Sequence, residues 1–258
     1  MGKNKLKKFA EMETFRNVFQ CGAREVVETS SVVSMAGHWR EKYFHNSNPI
    51  VLELGCGRGE YTVGLAERNP DKNYIGIDIK GARMWAGAKQ AELAGMTNVA
   101  FLRTNIEMLN YFFTANEVDE IWITFCDPQM KKNTKRLTST YFMQRYCQVL
   151  KPNGIIHLKT DSPFLYTYTQ AMVKENQYPI IADANNLYDA EQGTMAHELE
   201  EAKCLQTHYE KQWLDRGMTI KYIAWQLPEN PSLIEPEIEI EKDEYRSYGR
   251  NYNVKDQK

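Results

Sequence analysis

Short apolar runs alternate with longer amphipathic stretches between about residues 50 and 227. The apolar runs predict buried strands at 50–54, 73–77, 99–102, 120–125, 154–159 and 219–226. Apolar residues at helical spacing predict helices at 31–45, 60–68, 81–94, 139–149, 162–176 and 195–216. Strands that alternate with helices are typical of a parallel sheet covered by crossover helices. The pattern therefore predicts an α/β fold with a doubly wound, mainly parallel sheet.

The two ends of the chain differ from this central part. Residues 1–45 are predicted to form a basic N-terminal arm, irregular over 1–30, followed by a helix. Residues 46–227 are predicted to form the main domain. Residues 228–258, with three prolines and an Ile/Glu alternation, predict an acidic tail that is a linker or a loosely held edge segment.

Length and composition exclude several classes of protein. A chain of 258 residues fits one α/β domain with an appendage. No apolar run approaches the ~18–20 residues of a membrane helix, and the N-terminus lacks the apolar stretch of a secretory signal. The five cysteines have no paired spacing, which argues against a disulfide framework or a zinc site and for a reducing cytoplasm.

The charge distribution is more informative than the net charge of −2. Residues 228–258 carry eight acids and five bases, so the rest of the chain is slightly basic. Basic residues cluster at Lys3, Lys5, Lys7 and Lys8, and at Lys131, Lys132, Lys135 and Arg136. Such local clusters can bind phosphates, although a solvated face is the commoner explanation of a charge run.

Three glycines at alternate positions follow the first predicted strand. Gly55, Gly57 and Gly59 separate it from a predicted helix, a turn that lets a ligand approach the backbone closely. The second strand ends at Asp78, where a doubly wound fold places the acid that binds ribose hydroxyls. Together these features predict a site for a nucleoside cofactor.

Glu53 favours one kind of nucleoside cofactor over another. A pyrophosphate prefers a helix N-terminus without a carboxylate, whereas a carboxylate suits a cation. S-adenosylmethionine carries a sulfonium and an ammonium and has no phosphate. A dinucleotide remains an alternative, and so does a tight strand–helix turn that binds nothing.

Further polar residues follow the later strands. Asp127, before Pro128, and Asp161 both lie at strand ends and are expected on the same sheet edge as the glycine turn. Asn105 follows the third strand, where it can contact an adenine or simply make a turn. Residues 207–210, Thr-His-Tyr-Glu, also fit a plain capping box.

Five segments taken together resemble the bacterial tRNA (guanine-N7)-methyltransferases. They are Glu-Leu-Gly-Cys-Gly-Arg-Gly at 53–59, Phe-Cys-Asp-Pro-Gln-Met-Lys-Lys at 125–132, Leu-Lys-Pro-Asn-Gly at 150–154, Lys-Thr-Asp at 159–161 and Thr-His-Tyr-Glu at 207–210. The resemblance runs in order over roughly residues 45–227. It implies a class I methyltransferase with a seven-stranded sheet, a cytoplasmic enzyme without a metal, acting on tRNA as a monomer or homodimer.

The resemblance also implies roles for individual residues. Cofactor-binding roles fall on Glu53, Gly55, Gly57, Gly59, Asp78, Asn105 and Asp127, with Asp127 at the junction of S-adenosylmethionine and guanine; tRNA-binding roles fall on Lys131, Asp161, Thr207, Tyr209 and Glu210. The chain departs from the usual family pattern at Cys126, Gln129 and Met130, which replace Pro, Trp and Pro. It also has Asn105 where an acid is common.

Three alternatives use the same fold. A pyrimidine-C5 methyltransferase would attack through Cys126, although the adjacent Asp127 opposes the low thiol pKa that this chemistry needs. A non-catalytic RNA-binding protein would fail to bind S-adenosylmethionine. A small-molecule methyltransferase would leave the basic cluster at 131–136 without a role.

Overall fold

The computed structural model describes residues 2–21, 33–189 and 197–243. The strands are β1 (Val18–Gln20), β2 (Ile50–Leu54), β3 (Asn73–Ile77), β4 (Val99–Arg103), β5 (Val118–Thr124), β6 (Leu150–Thr160), β7 (Ile180–Ala184) and β8 (Lys221–Leu227). The helices are α1 (Gly2–Met12), α2 (Glu60–Arg68), α3 (Gly81–Leu93), α4 (Thr140–Tyr146), α5 (Pro163–Glu175), α6 (His197–Cys204) and α7 (His208–Leu214).

All eight of these strands join one sheet in the order β1-β4-β3-β2-β5-β6-β8-β7. Neighbouring strands are parallel except where β8 pairs with β6 and β7. The doubly wound, mainly parallel architecture is confirmed, but the predicted count of seven strands is wrong. Two strands lie outside the six predicted ranges: β1, which pairs with β4, and β7, which pairs with β8.

The central strands are buried on both faces. Every residue of β2 and β3 is buried, which explains their nearly continuous apolar sequences. Alternate side chains serve opposite faces, since Leu52 and Leu54 pack in one core cluster and Val51 packs in the other. Packing on both faces of the sheet therefore fixes the positions of the carboxyl ends of β2 and β3.

The N-terminal segment is more ordered than its sequence predicted. Residues 2–12 form α1 and residues 18–20 form β1, so the prediction of an irregular arm is wrong for these two elements. Met12 is fully buried, and Glu11 accepts hydrogen bonds from Trp85 Nε1 at 2.8 Å and Lys89 Nζ at 2.6 Å on α3. Trp85 is thus a packing residue beneath α1.

Two predicted helices are interrupted. Within 33–45 the chain forms a 3-10 turn at Val33–Met35 and a π-helical segment at Trp39–Phe44, while 31–32 lie outside the described residues. The stretch 197–214 divides into α6 and α7. Thr207 has an extended backbone and caps the N-terminus of α7, so the helix does not continue through it. Residues 228–243 form no helix or strand, and 244–258 lie outside the described part of the tail.

Candidate active site

A cavity of about 810 Å³ opens at the carboxyl ends of β2 and β5. From β2 the chain continues to β3 on one side, while β5 lies on the other side, so this is the switch point of the sheet. The cavity lining includes Glu53, Asp78, residues 55–58, residues 124–127 and residues 207–209. The structure therefore brings together three of the five segments singled out in the sequence, and Asp78 joins them.

The glycine turn has a backbone that other residues rarely adopt. Gly55, Gly57 and Gly59 have φ angles of 78°, 54° and 74°. Gly59 has a second constraint, because a Cβ there would lie 2.6 Å from Cε1 of Phe101. Gly55 and Gly57 line the cavity, whereas Gly59 lets α2 begin close to the sheet.

Asp78 holds this turn against the end of β3. Its Oδ2 accepts a hydrogen bond from Gly57 N at 2.9 Å, and its Oδ1 accepts one from Lys80 N at 2.7 Å. The half-buried carboxylate lines the cavity. The predicted proximity of Asp78 to the glycine turn is thus present in the structure.

Glu53 is a nearly buried carboxyl group on the cavity wall, 4% exposed. It accepts hydrogen bonds from Thr62 N at 2.8 Å, from Thr62 Oγ1, and from Thr124 Oγ1 at 2.7 Å. Burial raises the pKa of Glu53 to about 7, against the opposing effect of these hydrogen bonds. The two threonines are supporting residues that the sequence pattern did not reveal.

Asp127 follows β5, the strand next to β2, and its exposed side chain lines the cavity. Its Oδ1 accepts a hydrogen bond from Gln129 N at 2.9 Å, which makes a local turn of the kind that Asp favours. Phe125, two residues before Asp127, has a φ of 47°, which is an uncommon conformation for a bulky residue. Phe125 also lines the cavity and packs edge-to-face against Tyr209 at 5.8 Å between ring centroids.

The residues predicted to bind tRNA are divided between surface and interior. Thr207 and Tyr209 line the cavity, and Tyr209 is 41% exposed. Lys131 is exposed but lies outside the cavity lining. Asp161 and Glu210 are fully buried and are likewise absent from the lining.

Glu210 belongs to a buried ion pair. Its Oε1 lies 2.8 Å from Lys159 Nζ, with both side chains fully buried, and it accepts a hydrogen bond from Tyr188. Lys159 Nζ also donates to the carbonyl oxygens of Ala202 at 2.7 Å and Leu205 at 2.9 Å. Burial lowers the pKa of Lys159 to about 8, an effect that Glu210 opposes. The pair fixes the junction of α6 and α7, where Thr207 Oγ1 accepts from Glu210 N at 3.2 Å.

Asn105 takes the capping position that was its simpler interpretation. Its Oδ1 accepts a hydrogen bond from Glu107 N at 3.3 Å at the start of a 3-10 turn, Ile106–Tyr111. Asn105 itself is absent from the cavity lining, although Ile106 is part of it. A contact between Asn105 and the cofactor stays a prediction.

The basic cluster at 131–136 is not a uniform phosphate-binding face. Lys135 lines the cavity and forms an ion pair with Glu107 at 2.6 Å. Arg136 is only 4% exposed, and its guanidinium donates to the carbonyl oxygens of Pro128 and Gln129 at 3.0 and 3.1 Å. The expectation that Arg136 contacts phosphates is therefore wrong for this structure. Three basic residues on the cavity lining had not been predicted: Arg58, Lys80 and Arg83.

Two kinds of feature are absent from the described ranges 2–21, 33–189 and 197–243. These residues contain no group of three or more His, Cys, Asp or Glu side chains suited to a metal ion. They also contain no helix that is both long and apolar enough to cross a membrane.

Comparison with known proteins agrees with the geometry. Residues 47–223 match a family model described as "Putative methyltransferase". A tRNA (guanine-N(7)-)-methyltransferase of Bacteroides thetaiotaomicron is 55% identical over 97% of this chain and 96% of its own length. One from Porphyromonas gingivalis is 56% identical over 93% of this chain and 97% of its own. The crystal structure of the 16S rRNA methyltransferase KamB has a TM-score of 0.55 at 14% identity, covering 73% of this chain and 92% of its own.

The sheet order and the cavity at the switch point are those of the class I methyltransferase fold, and the family model over residues 47–223 places the chain among the methyltransferases. Within that class, the two relatives match almost the whole chain at more than half of its positions. The chain belongs to the tRNA (guanine-N(7)-)-methyltransferase family.

Proposed function

We propose that this protein transfers a methyl group from S-adenosylmethionine to N7 of a guanosine in tRNA, giving 7-methylguanosine. The observation that carries the proposal is that one cavity is lined both by residues suited to the cofactor and by residues suited to the guanine base. The glycine turn, Glu53 and Asp78 line this cavity, and so do Asp127 and the paired rings of Phe125 and Tyr209. Two relatives that match almost the whole chain bear the name of this activity.

The glycine turn, Glu53 and Asp78 fit S-adenosylmethionine. Gly55 and Gly57 leave the cavity wall without side chains, so a nucleoside can approach the backbone. Asp78 has the position for the ribose hydroxyls, and Glu53 offers a carboxyl group to a cation. When bound, S-adenosylmethionine supplies an electrophilic methyl group on a positively charged sulfur.

Asp127 is proposed as the catalytic residue. Guanine N7 has a lone pair and no proton, so the chain has to position two partners rather than remove a proton. Positive charge moves onto the purine as the methyl group is transferred, and an anionic Asp127 facing the ring stabilises it. The same carboxylate can accept hydrogen bonds from the N–H edge of the base.

The remaining predicted residues are proposed to act on the RNA in two ways. Lys131 and Lys132, both exposed, contact backbone phosphates and position the tRNA without reading its sequence. Thr207 and Tyr209 contact the guanosine, which has to leave its stacked setting to enter the cavity. Asp161 and Glu210, both buried, act by holding the elements that carry these contacts. We propose that the reaction takes place in the cytoplasm.

The direct test is incubation of the purified protein with unmodified tRNA and S-adenosylmethionine, followed by nuclease digestion and mass spectrometry of the nucleosides. We expect 7-methylguanosine. A different methylated nucleoside would contradict the role of the 125–132 segment, and absence of methylation despite cofactor binding would contradict the proposed acceptor.

Cofactor affinity is expected to depend on pH through Glu53. Its folded-state pKa of about 7 exceeds its ordinary value of 4.5, so the folded protein retains this proton as the pH rises from 4.5 towards 7. The unfolded chain ionises Glu53 at a lower pH than the folded protein does, so the free energy of unfolding falls as the pH rises over that range. A bound cation favours the ionised carboxylate and so offsets this loss. We expect affinity for S-adenosylmethionine to rise up to about tenfold between about pH 6 and pH 8. Calorimetric titration across this range measures it.

Glu53→Gln is the matched control, because glutamine has a similar shape and stays neutral at every pH. Titration of the cofactor's own amino group affects both proteins equally. The wild-type protein should gain more affinity with rising pH than the Gln variant does. Parallel pH profiles would show that Glu53 does not contribute to cation binding.

Replacement of Cys126 distinguishes the purine reaction from the pyrimidine-C5 alternative. Cys126 lines the cavity beside Asp127, so it is accessible to a substrate there. Attack by N7 needs no thiolate, and we expect Cys126→Ala to retain most of the wild-type methylation rate. Loss of activity with cofactor affinity unchanged would favour covalent catalysis through the thiol.

A further inference from the structure

The C-terminal strap, residues 232–243, follows the surface of α5 even though it contains no regular secondary structure. Asn176 Nδ2 donates to Ile234 O at 2.8 Å, and Asn176 Oδ1 accepts from Ile234 N at 2.7 Å. Tyr178 donates to the carbonyl of Ser232. Tyr168 donates to the Glu235 carboxylate at 2.6 Å. These contacts seat the strap in one register along the helix.

Asp243, the last described residue of the strap, is a carboxylate that is only 6% exposed. Its Oδ1 accepts a hydrogen bond from Phe164 N at 3.0 Å, and its Oδ2 accepts one from Ser162 Oγ. Ser162 Oγ in turn caps α5 by accepting from Leu165 N at 2.9 Å. A carboxylate at the start of a helix also interacts favourably with the helix dipole. Asp243 therefore completes the N-terminal cap of α5 from a distant part of the chain.

The backbone of Asp243 contacts the loop that follows the catalytic aspartate. Its N–H donates to Met130 Sδ at 3.3 Å. Met130 belongs to the 129–136 loop, which carries the exposed residues Lys131 and Lys132. The last residue of the strap thus joins this loop to the cap of α5.

Arg136 ties the other end of the same loop to α5. Its guanidinium lies 3.9 Å from the ring centroid of Tyr168 and 4.9 Å from that of Phe164. Tyr168 binds Glu235 of the strap, and Phe164 N binds Asp243. Arg136 thus packs against two α5 residues that the strap contacts, whereas Met130 contacts the strap directly.

We propose that Asp243 is a positioning residue for tRNA binding, acting through the C-terminal strap to hold the 129–136 loop in place. The inference rests on the proposed function, since it assumes that the lysines of this loop contact tRNA. Among the described residues the strap makes no hydrogen bond with the glycine turn or Asp78, so we expect its loss to affect tRNA binding more than cofactor binding. The C-terminal strap therefore supports the proposed RNA-binding surface.

Asp243→Ala in the full-length protein tests this role. We expect the KM for tRNA to rise about five- to tenfold, while kcat and the dissociation constant for S-adenosylmethionine stay within about twofold; tenfold corresponds to 1.4 kcal/mol. Hydrogen exchange of the 129–136 amides should become faster. A purely structural defect would change cofactor binding and thermal stability without singling out the KM for tRNA.

Glu241→Ala is the matched control, because it removes the same charge from an exposed position of the strap. It should leave the KM for tRNA unchanged, and an equal rise in both variants would overturn the proposal. Met130→Leu removes the sulfur acceptor without touching the α5 cap, and it should also raise the KM for tRNA. It is the deciding variant if Asp243→Ala does not fold. If the wild-type protein forms 7-methylguanosine and neither Asp243→Ala nor Met130→Leu alters the KM, the strap inference fails while the proposed function stands. Absence of 7-methylguanosine with the wild-type protein would instead overturn the proposed function.

Discussion

Asp127→Ala should lower the rate of guanosine methylation by about 10²–10³-fold or more, with the protein still folded. The carboxylate faces the cavity from an exposed position, so its removal takes away charge stabilisation without opening the core. Surface substitutions of this kind change the free energy of unfolding by only about 0.5 kcal/mol. The measurement is single-turnover methylation of tRNA at saturating S-adenosylmethionine, beside urea unfolding of both proteins.

Asp127→Asn separates the charge from the local turn. Asn keeps an oxygen that can accept from Gln129 N, the hydrogen bond of 2.9 Å in the structure, but it is neutral. If the charge acts on the purine ring, the Asn variant should be slow like the Ala variant. Recovery of the rate in Asp127→Asn would show that Asp127 only shapes the loop. A near-wild-type rate for Asp127→Ala would refute the catalytic assignment.

Most of the sheet could be predicted because its inner strands are buried on both faces. Runs such as 50–54 and 73–77 are almost wholly apolar, and β2 and β3 occupy those ranges. The strands that escaped prediction lie at the two ends of the sheet. β1 has only three residues, and β7 exposes Ile180, so neither produces a long apolar run. Their pairing depends on neighbours that are distant in sequence.

The candidate site shows the same limit. The carboxyl ends of parallel strands share one edge, and this rule alone places Glu53, Asp78 and Asp127 around one cavity. It does not decide which polar side chains at that edge point inwards. Asp161 lies at the same edge and is fully buried, and Arg136 lies among exposed lysines and is buried too. Arg136 packs against the rings of Phe164 and Tyr168 on α5, a contact that the local sequence does not reveal.

Breaking the buried pair of Lys159 and Glu210 should have the largest effect on stability. Both side chains are fully buried, and their charged atoms lie 2.8 Å apart. Because the pKa of Lys159 is about 8, its ammonium is still charged at pH 7 and needs its partner. Lys159→Met or Glu210→Gln alone should lower the free energy of unfolding by about 3–5 kcal/mol, since each leaves a buried group without its partner. Urea unfolding at pH 7 measures the loss.

The double variant Lys159→Met/Glu210→Gln tests whether this loss arises from the pair itself. The two changes should cost much less together than the sum of the single losses, because neither charge remains to be stranded. Some loss should persist, since the carbonyls of Ala202 and Leu205 also lose their donor. Lys135→Met, which breaks the exposed pair with Glu107, is the control and should cost far less.

The same variants decide how Glu210 serves the reaction. Glu210 holds the start of α7, from which Thr207 and Tyr209 line the cavity. A positioning role predicts that the KM for tRNA rises in proportion to the loss of stability, and that the double variant recovers both together. A direct contact between Glu210 and guanosine predicts the opposite: the double variant would regain stability and remain defective in tRNA binding, because its carboxylate is still missing.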